Sequence, residues 1–400
     1  MKEQQTHNNT NPPTKTPKRV PKLRFKEFSD DWDEKNIANI LQIGSGRDYK
    51  HLNNGLVPVY GTGGLMTYVD DYLYNGESVC IGRKGTIDKP VYLNEKFWTV
   101  DTLFYTHSFK KTFPKFVYNV FQNINWKLYN EASGVPSLSK ATIEKIKINI
   151  PNLEEQQKIA TFLTSVDKKI DQLQQKKHLL EHYKKGVMQQ LFSQQLRFKD
   201  DNGNDYPEWV EKRLGNIGET LNGLTGKTKE DFVIGKPYIQ YKQIFDSSKI
   251  NIRDCGLVEV GENENQTKVQ FGDAFFTTSS ETANEIGTTS VLLDEVDEMY
   301  LNSFCFGLRI SGEILNPSFS QFLFRSAGFR RKMIPLAQGS TRYNISKGSF
   351  LKLRINIPSL EEQTKIANFL SAIDTKIALV NTQIENTQLF KKGLLQQMFV

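Results

Sequence analysis

The stretch INIPNLEEQQKIATFLTSVDKKI, which begins at Ile148, decides the architecture of this 400-residue chain because it occurs twice. The second copy, INIPSLEEQTKIANFLSAIDTKI, begins at Ile355, 207 positions later. The match runs without a gap from residues 148–192 onto residues 355–399, with 22 identities in 45 pairs. Such self-similarity indicates one architectural unit that is used twice in the chain.

A second pair of repeats precedes the two copies. LRFK begins at Leu23 and again at Leu196, and each is followed by a tryptophan, in WDEKNIANI at Trp32 and WVEKRLGNI at Trp209. Between these repeats the two regions look unlike each other. The predicted segments are a flexible basic N-terminus (1–22), a first variable domain (23–147), a first helical spacer (148–195), a second variable domain (196–354) and a second helical spacer (355–400).

Each shared segment is predicted to form a long helix. Pro151 and Pro358 stand just before it, and the LEEQ that follows places acidic residues in the first turn, where the helix dipole favours them. Apolar residues then recur in alternating steps of four and three. The predicted seam comprises Ile159, Leu163, Val166, Ile170, Leu173, Leu180, Ile366, Leu370, Ile373, Ile377, Val380 and Ile384. The same spacing continues to Val187, Leu191, Leu394 and Met398.

This spacing keeps one face of a helix toward a partner, which is typical of a coiled coil. About 39 residues at roughly 1.5 Å per residue make a rod of roughly 58 Å. We therefore expect the two helices to pack antiparallel and to hold the variable domains apart at a fixed distance. The alternative is a helical hairpin with a purely structural role.

Both variable regions are predicted to be α+β. Neither has sustained helical periodicity, and both contain short β-like runs separated by Gly, Asn and Asp. The predicted strands and turns are LVPVYGTGG, ESVCIGRKG, KPVYL and DTLFYTH in the first region and KPYIQYKQIF, GDAFFTTSS, TSVLL and SFCFGLRI in the second. Each region ends in a short helical stretch, at 114–129 and 317–331. The predicted fold class is α+β, with two globular domains joined by two long helices that form an antiparallel coiled coil.

The charge of the chain favours polyanionic partners, because its formal net charge is +7. Residues 325–354 include eight Lys and Arg and no Asp or Glu, and the matching stretch 109–147 has seven lysines against Glu131 and Glu144. Basic side chains mixed with Phe, Tyr, Asn, Gln and Ser supply phosphate contacts and base-edge donors and acceptors. These runs therefore favour nucleic-acid binding, with a merely solvated surface as the alternative.

Composition excludes several other classes of protein. The three cysteines, Cys80, Cys255 and Cys305, lie far apart without metal-binding or disulfide spacing, which suits a reducing compartment. No apolar stretch approaches the roughly 18 residues that a membrane span needs. The N-terminus has no apolar signal region. We therefore expect a cytoplasmic protein without a membrane partner.

The sequence also lacks motifs for catalysis or metal binding. The glycine-rich stretches at Gly44 and Gly61 complete neither a dinucleotide fingerprint nor a phosphate-binding loop, and they are predicted turns. His178 and His182 lack the H-E-x-x-H core and are expected on a solvated flank of the first long helix. No Glu-x-Lys nuclease motif, G-x-S-x-G elbow or Asn/Asp-Pro-Pro-aromatic methyltransferase motif occurs. No catalytic residue and no metal ligand is therefore predicted.

This constellation resembles the specificity subunit of type I restriction–modification systems. The resemblance covers about residues 23–400 and rests first on the repeated IP-L-EEQ-KIA-FL helix and the domain-opening tryptophans. It rests also on PVYGTGG and GRKGT in the first domain and on PYIQYK, GDAFFTTSSET and GSTRYNISKG in the second. In that family each variable region is a target recognition domain for one half of a split DNA site. The paired helices set the gap between the halves and dock two modification subunits.

The resemblance implies a non-catalytic subunit that directs its partners to double-stranded DNA. Adenine N6 methylation belongs to the modification (methyltransferase) subunits, and ATP-driven translocation and cleavage belong to the restriction subunits. No cofactor is expected in this chain, whereas S-adenosylmethionine, ATP and Mg²⁺ are expected on the partner subunits. The complex is expected to be a heteromultimer.

Candidate DNA contacts lie in the Gly-rich turns and in the strands beside them. They are Tyr60, Thr62, Arg83, Lys84, Thr86, Tyr238, Gln240, Tyr241, Lys242, Thr278, Ser279, Ser280, Arg342, Tyr343 and Asn344. Each has a structural alternative. Tyr60 and Tyr238 are also typical of core residues with solvated hydroxyls, and the Ser/Thr run is also typical of a turn cap.

Two rival functions stay open at the level of sequence. The first is a self-contained DNA methyltransferase or nuclease, which predicts that the purified chain methylates or cuts DNA alone. The second is a coiled-coil scaffold that never contacts nucleic acid, which predicts no DNA binding at any salt concentration.

Overall fold

The computed structural model describes residues 20–400. The predicted basic segment 1–22 therefore lies almost entirely outside the described residues. Contacts divide the chain into two units. The described part of the first unit is residues 20–174 with Thr382–Val400, and the second unit is Gln175–Asn381. The five segment boundaries expected from the sequence stay a prediction.

The first unit is built around a six-stranded mixed sheet. Its strands are β1 (Asp33–Asn36), β2 (Gln42–Ser45), β3 (Asn54–Gly61), β4 (Gly64–Val69), β5 (Tyr74–Gly82), β6 (Val91–Thr99), β7 (Leu103–His107) and β8 (Lys147–Ile150). Its helices are α1 (Ile37–Ile40), α2 (Pro114–Asn123), α3 (Lys140–Lys145) and the start of α4 (Leu153–Phe192). The sheet order is β2-β7-β5-β6-β3-β4, with β3 and β6 parallel, while β1 and β8 pair separately.

The second unit divides its strands among smaller sheets. Its strands are β9 (Val210–Arg213), β10 (Gly218–Asn222), β11 (Lys236–Ile239), β12 (Gly256–Val258), β13 (Ala274–Thr277), β14 (Ser279–Ser280), β15 (Thr289–Val291), β16 (Tyr300–Leu301), β17 (Cys305–Ile310), β18 (Tyr343–Asn344) and β19 (Arg354–Ile357). Its helices are α5 (Tyr241–Asp246), α6 (Pro317–Leu323), α7 (Ala327–Met333), α8 (Lys347–Leu351) and the start of α9 (Leu360–Met398). The sheet orders are β10-β17-β13-β15, β12-β11-β16, β14-β18 and β19-β9.

One strand prediction is wrong in its second half. KPYIQYKQIF was expected to be extended, but only Lys236–Ile239 forms a strand and Tyr241–Asp246 is a helix. The reason is visible in the packing, because Ile244 is fully buried in a cluster with Ile239 and Phe275. Tertiary packing therefore decides the conformation of a short segment whose local propensity is ambiguous.

The long helices α4 and α9, of 40 and 39 residues, pack antiparallel. In the second unit Lys177 Nζ donates to Asn381 Oδ1 at 2.7 Å, and seven residues later Lys184 Nζ donates to Asp374 Oδ1 at 2.6 Å. Residue numbers thus fall along α9 as they rise along α4. The predicted antiparallel pair of long helices is confirmed.

The seam residues are buried along most of both helices. Ile159, Leu163, Val166, Ile170, Leu173, Ile366, Leu370, Ile373, Val380 and Ile384 are buried, and Leu180 and Ile377 are half-buried. Toward the ends of each helix the seam enters the core of a globular unit. In the first unit Leu163 shares one cluster with Trp32, Phe116 and Met398 of α9. The helices are therefore part of the domain cores as well as partners of each other.

A buried Arg–Glu–Trp cluster anchors the start of α4 in the first unit. Arg24 Nε and Nη2 donate to the two carboxylate oxygens of Glu155 at 2.7 and 2.8 Å, and Trp32 Nε1 donates to the same carboxylate at 3.4 Å. Glu155 has no exposed surface. A bidentate guanidinium provides the charge and hydrogen bonds that a buried carboxylate requires.

The same cluster occurs in the second unit. Arg197 Nε and Nη2 donate to Glu362 at 3.2 and 2.9 Å, and Trp209 Nε1 donates at 3.1 Å. The repeats LRFK, Trp and LEEQ are thus three parts of one structure. The second acid of LEEQ is a buried ion-pair partner, in addition to lying in the first helical turn.

The glutamine of each LEEQ ties the helix start to a neighbouring loop. Gln156 Nε2 donates to the carbonyl of Pro151 at 2.9 Å, and its Oε1 accepts from Phe113 N at 2.8 Å. In the second unit Gln363 bonds Pro358 O at 3.0 Å and Asn316 N at 2.7 Å. Phe113 and Asn316 immediately precede α2 and α6, so the long helix fixes where these short helices begin.

Candidate nucleic-acid interface

A backbone bridge holds the GRKGT turn of the first unit, residues 82–86. We call this turn, and its counterpart at residues 277–281, the recognition loops. Lys84 pairs with Ser137 in an isolated antiparallel bridge. Leu138 N donates to Arg83 O at 2.8 Å, and Arg83 N donates to Thr102 O at 2.8 Å. These bonds place the GRKGT turn between the loop before α3 and the turn between β6 and β7.

The second unit builds the same bridge from a different sequence. Ser279 pairs with Asn344, Ile345 N donates to Thr278 O at 3.1 Å, and Thr278 N donates to Phe304 O at 3.0 Å. The bridge and two of its flanking hydrogen bonds correspond in the two units. By these bonds Thr278 corresponds to Arg83, and Ser279 corresponds to Lys84. On the partner segments Asn344 corresponds to Ser137, and Phe304 corresponds to Thr102. The two units therefore share a scaffold and differ in the side chains it presents.

A cavity of about 700 Å³ adjoins the bridge in the first unit. It is lined by Ser45, Arg83, Lys84, Phe104, Glu131, Ala132, Val135, Ser137, Leu138, Ser139 and Lys140. The guanidinium carbon of Arg83 lies 5.9 Å from the centroid of the Phe104 ring, and Lys84 is exposed. Two of the predicted contacts thus present their charges at one open concave surface.

The other predicted contacts of the first unit lie around the same turn but are less exposed. Tyr60 is half-buried, and its hydroxyl donates to Glu95 Oε1 at 2.8 Å. Burial, reinforced by this carboxylate, raises the pKa of Tyr60 to about 12, so the hydroxyl stays protonated. Thr62 and Thr86 are half-buried. The geometry at Tyr60 matches its structural alternative, a partly packed ring with a polar tip.

In the second unit four predicted contacts meet at a cavity of about 350 Å³. They are Tyr241, Ser279, Ser280 and Arg342, and the lining also includes Phe245, Glu281, Glu285 and Phe304. The Tyr241 hydroxyl donates to Ser279 O at 2.9 Å. The guanidinium carbon of Arg342 lies over the Phe304 ring, 5.7 Å from its centroid, within the range of a cation–π interaction.

The Ser/Thr run of the second unit is largely structural. Ser279 and Ser280 are each 6% exposed, and Thr278 is half-buried. Ser280 Oγ donates to Glu285 Oε2 at 3.0 Å and accepts from Thr282 N at 3.3 Å. These bonds fit the alternative that the run shapes a turn.

The remaining predicted contacts differ in exposure. Tyr238 is 9% exposed and packs with Leu224 and Val258, which matches its structural alternative. Gln240, Lys242 and Asn344 are exposed, and Tyr343 is half-buried. Lys242 forms an ion pair with Asp246 one turn along α5. The structure brings Tyr343 and Asn344 beside Ser279 and Ser280 through the β14–β18 pair.

Two arginines of the basic run 325–354 are not surface cations. Arg325 donates to the carbonyls of Thr289, Ile244, Phe245 and Ser247 at 2.6 to 3.1 Å. Burial, with a smaller effect of nearby Arg330, lowers the pKa of Arg325 to about 10.

Arg330 has a similar environment. It donates to the carbonyls of Asn284, Ile286 and Gly287 at 2.7 to 2.9 Å, and burial lowers its pKa. Neither Arg325 nor Arg330 forms an ion pair among residues 20–400. The interpretation of the whole run as a phosphate-binding surface is therefore wrong for these two residues.

Other cations of the run are also partly engaged. Lys332 donates to Arg354 O at 2.7 Å, and Arg354 pairs with Glu211 at 2.9 Å. Arg331, Arg342 and Lys352 are exposed and form no ion pair within the described chain. These three are the cations of the run that are most accessible to DNA phosphates.

Sequence reasoning missed Phe304, Glu281 and Glu285 at the second cavity. Phe304 lies in SFCFGLRI, which was expected to be a strand, but the strand begins at Cys305 and the Phe304 side chain is 55% exposed. An exposed phenylalanine just before a buried strand leaves no signature in the local pattern. Only the hydrogen bond from Thr278 N to Phe304 O in the folded structure places Phe304 at this cavity.

Residues 20–400 contain neither a metal-binding cluster nor a membrane-spanning helix. There, no group of three or more His, Cys, Asp or Glu side chains is arranged to hold a metal ion. No helix in this part of the chain has the length and apolar character of a membrane span. Burial raises the pKa of the Cys80 thiol to about 12 and also raises that of Cys305, so these two thiols are poor nucleophiles.

Two ranges of the chain, 29–182 and 206–387, match the family model for the type I restriction modification DNA specificity domain. A curated relative, the type I restriction enzyme MjaVIII specificity subunit of Methanocaldococcus jannaschii, is 23% identical over 338 residues. The aligned part covers 80% of this chain and 75% of the relative.

Solved structures show the same fold at low identity. The S subunit of a type I restriction–modification system from M. genitalium superposes with a TM-score of 0.60 at 13% identity, and the match covers 95% of this chain and 99% of that one. A chain from a structure described for complex assembly and conformational transition of the type I R-M system has a TM-score of 0.55 at 15% identity, covering 92% and 96%.

Proposed function

The chain belongs to the type I restriction modification DNA specificity family, and from this premise we propose that it is the subunit in which each unit reads one half of a split, asymmetric DNA site. The observation that carries this proposal is the duplicated bridge. Corresponding backbone bridges at Lys84–Ser137 and Ser279–Asn344 hold two loops with different side chains. One scaffold with two chemistries suits two different half-sites on one DNA molecule.

Each unit combines phosphate and base-edge chemistry. Exposed cations such as Lys84 and Arg331 suit phosphate contacts, which supply salt-dependent affinity without sequence information. Arg83, Arg342 and Asn344 carry donor groups suited to base edges, where a good bidentate pair contributes roughly 1–3 kcal/mol of discrimination. In the first unit Arg83 and Lys84 are adjacent at the bridge, and in the second Arg342 and Asn344 lie at the β14–β18 pair.

Catalysis is assigned to partner subunits. The specificity family is non-catalytic, and we propose that separate subunits methylate adenine N6 and restrict unmodified DNA. S-adenosylmethionine, ATP and Mg²⁺ belong to those subunits in this proposal. A fold neighbour from an assembled type I R-M system supports an assembly of this kind.

The long helices have the remaining roles. We propose that α4 and α9 act as the spacer between the half-sites and dock two modification subunits. Their exposed apolar residues, including Leu179 at 60% and Phe390 at 56%, suit protein contacts. A cytoplasmic location belongs to the same proposal.

A domain exchange tests the central claim. Residues 196–354 are replaced by the equivalent region of a relative, and the methylated sequence is read by methylome sequencing in a host with the modification subunit. One half of the site should change while the other half and the gap stay as they were. A simultaneous change of both halves contradicts the assignment of one half to each unit.

A mobility-shift titration tests the chemistry of the first unit. Lys84→Ala should weaken binding about equally for all sequences and reduce the slope of log K against log salt by about one. The matched control is Lys168→Ala on the exposed surface of α4, which should leave the slope unchanged if DNA contacts are confined to the recognition loops. An unaltered slope for Lys84→Ala removes this residue from the interface.

A further inference from the structure

The cavity beside the β14–β18 pair has the volume of one nucleobase-sized ligand and three aromatic residues in its lining. Its volume is about 350 Å³, too small for a duplex and adequate for a single base. The rings of Tyr241, Phe245 and Phe304 contribute to its lining. Ligand pockets in proteins typically combine such aromatic walls with a few polar groups that fix orientation.

Phe304 is held in an exposed position by its backbone. Its N–H donates to Asn302 Oδ1 at 2.9 Å, and its carbonyl accepts from Thr278 N at 3.0 Å. The ring is 55% exposed, and the Arg342 guanidinium lies 5.7 Å from its centroid. An aromatic ring beside an arginine plane is a platform on which nucleobases stack.

The polar lining favours an amino group over a phosphate. Glu281 and Glu285 both line the cavity, and neither forms an ion pair among the described residues. Glu285 uses one oxygen, Oε2, to accept from Ser280 Oγ at 3.0 Å. Two carboxylates repel a phosphate, whereas a carboxylate accepts hydrogen bonds from the exocyclic amino group of a base.

The two sides of the cavity are fixed before any ligand binds. Arg325 of the chain segment before α7 holds the end of α5 by bonds to Ile244 O, Phe245 O and Ser247 O. Arg330 of α7 holds the loop that carries Glu285 by bonds to Asn284 O and Ile286 O. Both guanidinium groups are largely buried and act on backbone carbonyls. Such preorganisation is characteristic of a binding site.

We propose that this cavity takes a nucleobase turned out of the DNA duplex, stacked on Phe304 and Arg342 and hydrogen-bonded through an exocyclic amino group to Glu285. The inference rests on the proposed function, since it assumes that the second unit binds DNA. It assigns a base of the second half-site, an adenine, cytosine or guanine distinct from the adenine that is methylated, to a pocket in this chain.

The first unit lacks this arrangement. Thr102 occupies the position that corresponds to Phe304. The adjoining cavity is lined by three cations, Arg83, Lys84 and Lys140, against one carboxylate, Glu131. Its side chains suit phosphate and base-edge contacts to an intact duplex. The extruded base is therefore expected in one half-site only.

Fluorescent bases test the proposal in the complex of the full chain with its modification subunits. Each purine of the second half-site is replaced in turn by 2-aminopurine and each cytosine by pyrrolocytosine. One position other than the methylated adenine should brighten on binding. Phe304→Ala should abolish that signal and weaken specific binding about 5- to 150-fold, the range for loss of one base–aromatic stack.

Matched variants separate stacking from folding. Phe304→Leu retains an apolar side chain and should also lose the signal, whereas Phe271→Leu removes a 42% exposed ring elsewhere in the second unit and should change nothing. Glu285→Gln should keep the signal at the same position but relax the preference among bases there.

The outcomes distinguish failure of the pocket assignment from failure of the proposed DNA-recognition function. If the complex binds its site specifically and no position brightens in a Phe304-dependent way, the pocket assignment is wrong and DNA recognition stands. If the wild-type complex shows no sequence preference at all, the proposed function itself is wrong.

Discussion

The recognition loops of the two units are held by the same hydrogen bonds and carry different chemistry. At the bridge the first unit has exposed Arg83 and Lys84, and the second has half-buried Thr278 and buried Ser279 in the corresponding positions. The adjoining cavity is about 700 Å³ in the first unit and about 350 Å³ in the second. The first is bordered by three cations, Arg83, Lys84 and Lys140, and one carboxylate, Glu131. The second is bordered by two carboxylates, an arginine and an exposed phenylalanine ring.

The difference shows which parts of the fold tolerate change. A strand ladder is made by backbone N–H and C=O groups, so side chains at its solvent-facing positions are free to vary. A buried carboxylate has no such freedom, because it requires a matched cation. Glu155 and Glu362 accordingly have the same arginine and tryptophan partners in both units.

The C-terminal ends of the two long helices make the same aromatic contact in both units. In the first unit Trp32 makes an edge contact with Phe399 of the C-terminal segment, at 6.2 Å between ring centroids. In the second unit Trp209 makes the same contact with Phe192 of α4 at 6.4 Å. Each unit is therefore completed by the end of one long helix and the start of the other.

The largest expected effect tests the equivalence of the buried clusters. Glu155→Ala and Glu362→Ala should each destabilise the unit that contains them by about 3–5 kcal/mol, because Arg24 and Arg197, whose side chains are 12% and 19% exposed, lose a buried carboxylate partner. Urea unfolding, followed by hydrogen exchange to assign the unit, measures both. The exposed neighbour Glu154→Ala is the control and should cost under about 0.5 kcal/mol. Clearly unequal losses of unfolding free energy in the two variants would show that the two buried clusters are not energetically equivalent.

The next effect concerns the helix seam. Leu163→Ala and Leu370→Ala remove side chains with no exposed surface at corresponding positions of α4 and α9. Each should cost about 2–5 kcal/mol through lost burial and the cavity that remains. Thermal unfolding gives the comparison, and Leu379→Ala, at a position that is 60% exposed, serves as control. A small loss at one site only would mean that its core can collapse into the gap.

A smaller effect is expected from the ion pairs in the seam. Lys184–Asp374 in the second unit and Lys391–Asp167 in the first both measure 2.6 Å and join corresponding residues with the helices exchanged. A double-mutant cycle to alanine at each pair should give about 0.5–1 kcal/mol, discounted for partial exposure. Similar coupling in both cycles supports the equivalence. A coupling of zero in one of them shows that the contact there is incidental.

The smallest expected effect is a dependence of folding stability on pH through Glu298. The pKa of Glu298 is lowered to about 2 by hydrogen bonds from Lys236 first, then Tyr300 and Lys268. A folded-state pKa below the ordinary 4.5 means that the stabilisation is complete above pH 4.5 and is lost as the pH falls toward 2.

Glu298→Gln should therefore lower the melting temperature slightly at pH 7 and by less near pH 2.5, where much of the stabilisation is already lost. Added salt should shrink the difference because the group is only half-buried. Differential scanning calorimetry at the two pH values measures it. A constant shift at both values would assign the effect to packing instead of charge.

The repeated segment predicted the long helices and their pairing. A spacing of four and three from Ile159 to Leu191 requires a partner seam, and an almost identical segment in the same chain supplies one. The LRFK and tryptophan repeats marked the opening of each domain, but their partner, Glu155, was recognised only as a first-turn acid. Burial of a carboxylate is invisible in a hydrophobic pattern, because the pattern does not say which polar residue faces inward.

The site was predictable in outline only. GRKGT and GSTRYNISKG pointed to loops that the structure places at the two bridges, whereas Tyr238, Ser279 and Ser280 turned out to be buried. Arg325 and Arg330 were taken for surface cations, yet they hold backbone carbonyls. Whether a cation faces solvent or the interior depends on contacts between residues far apart in the chain.

By itself the amino-acid sequence determined the duplication, the antiparallel helices and the family, because these depend on spacing that repeats along the chain. Tertiary structure alone decided that Thr278 corresponds to Arg83 and that the exposed Phe304 ring lies near Arg342. It also decided that Arg325 and Arg330 bind the backbone carbonyls of segments that line the cavity. These features follow from hydrogen bonds and burial between residues that are far apart in the chain, where no local periodicity carries the information.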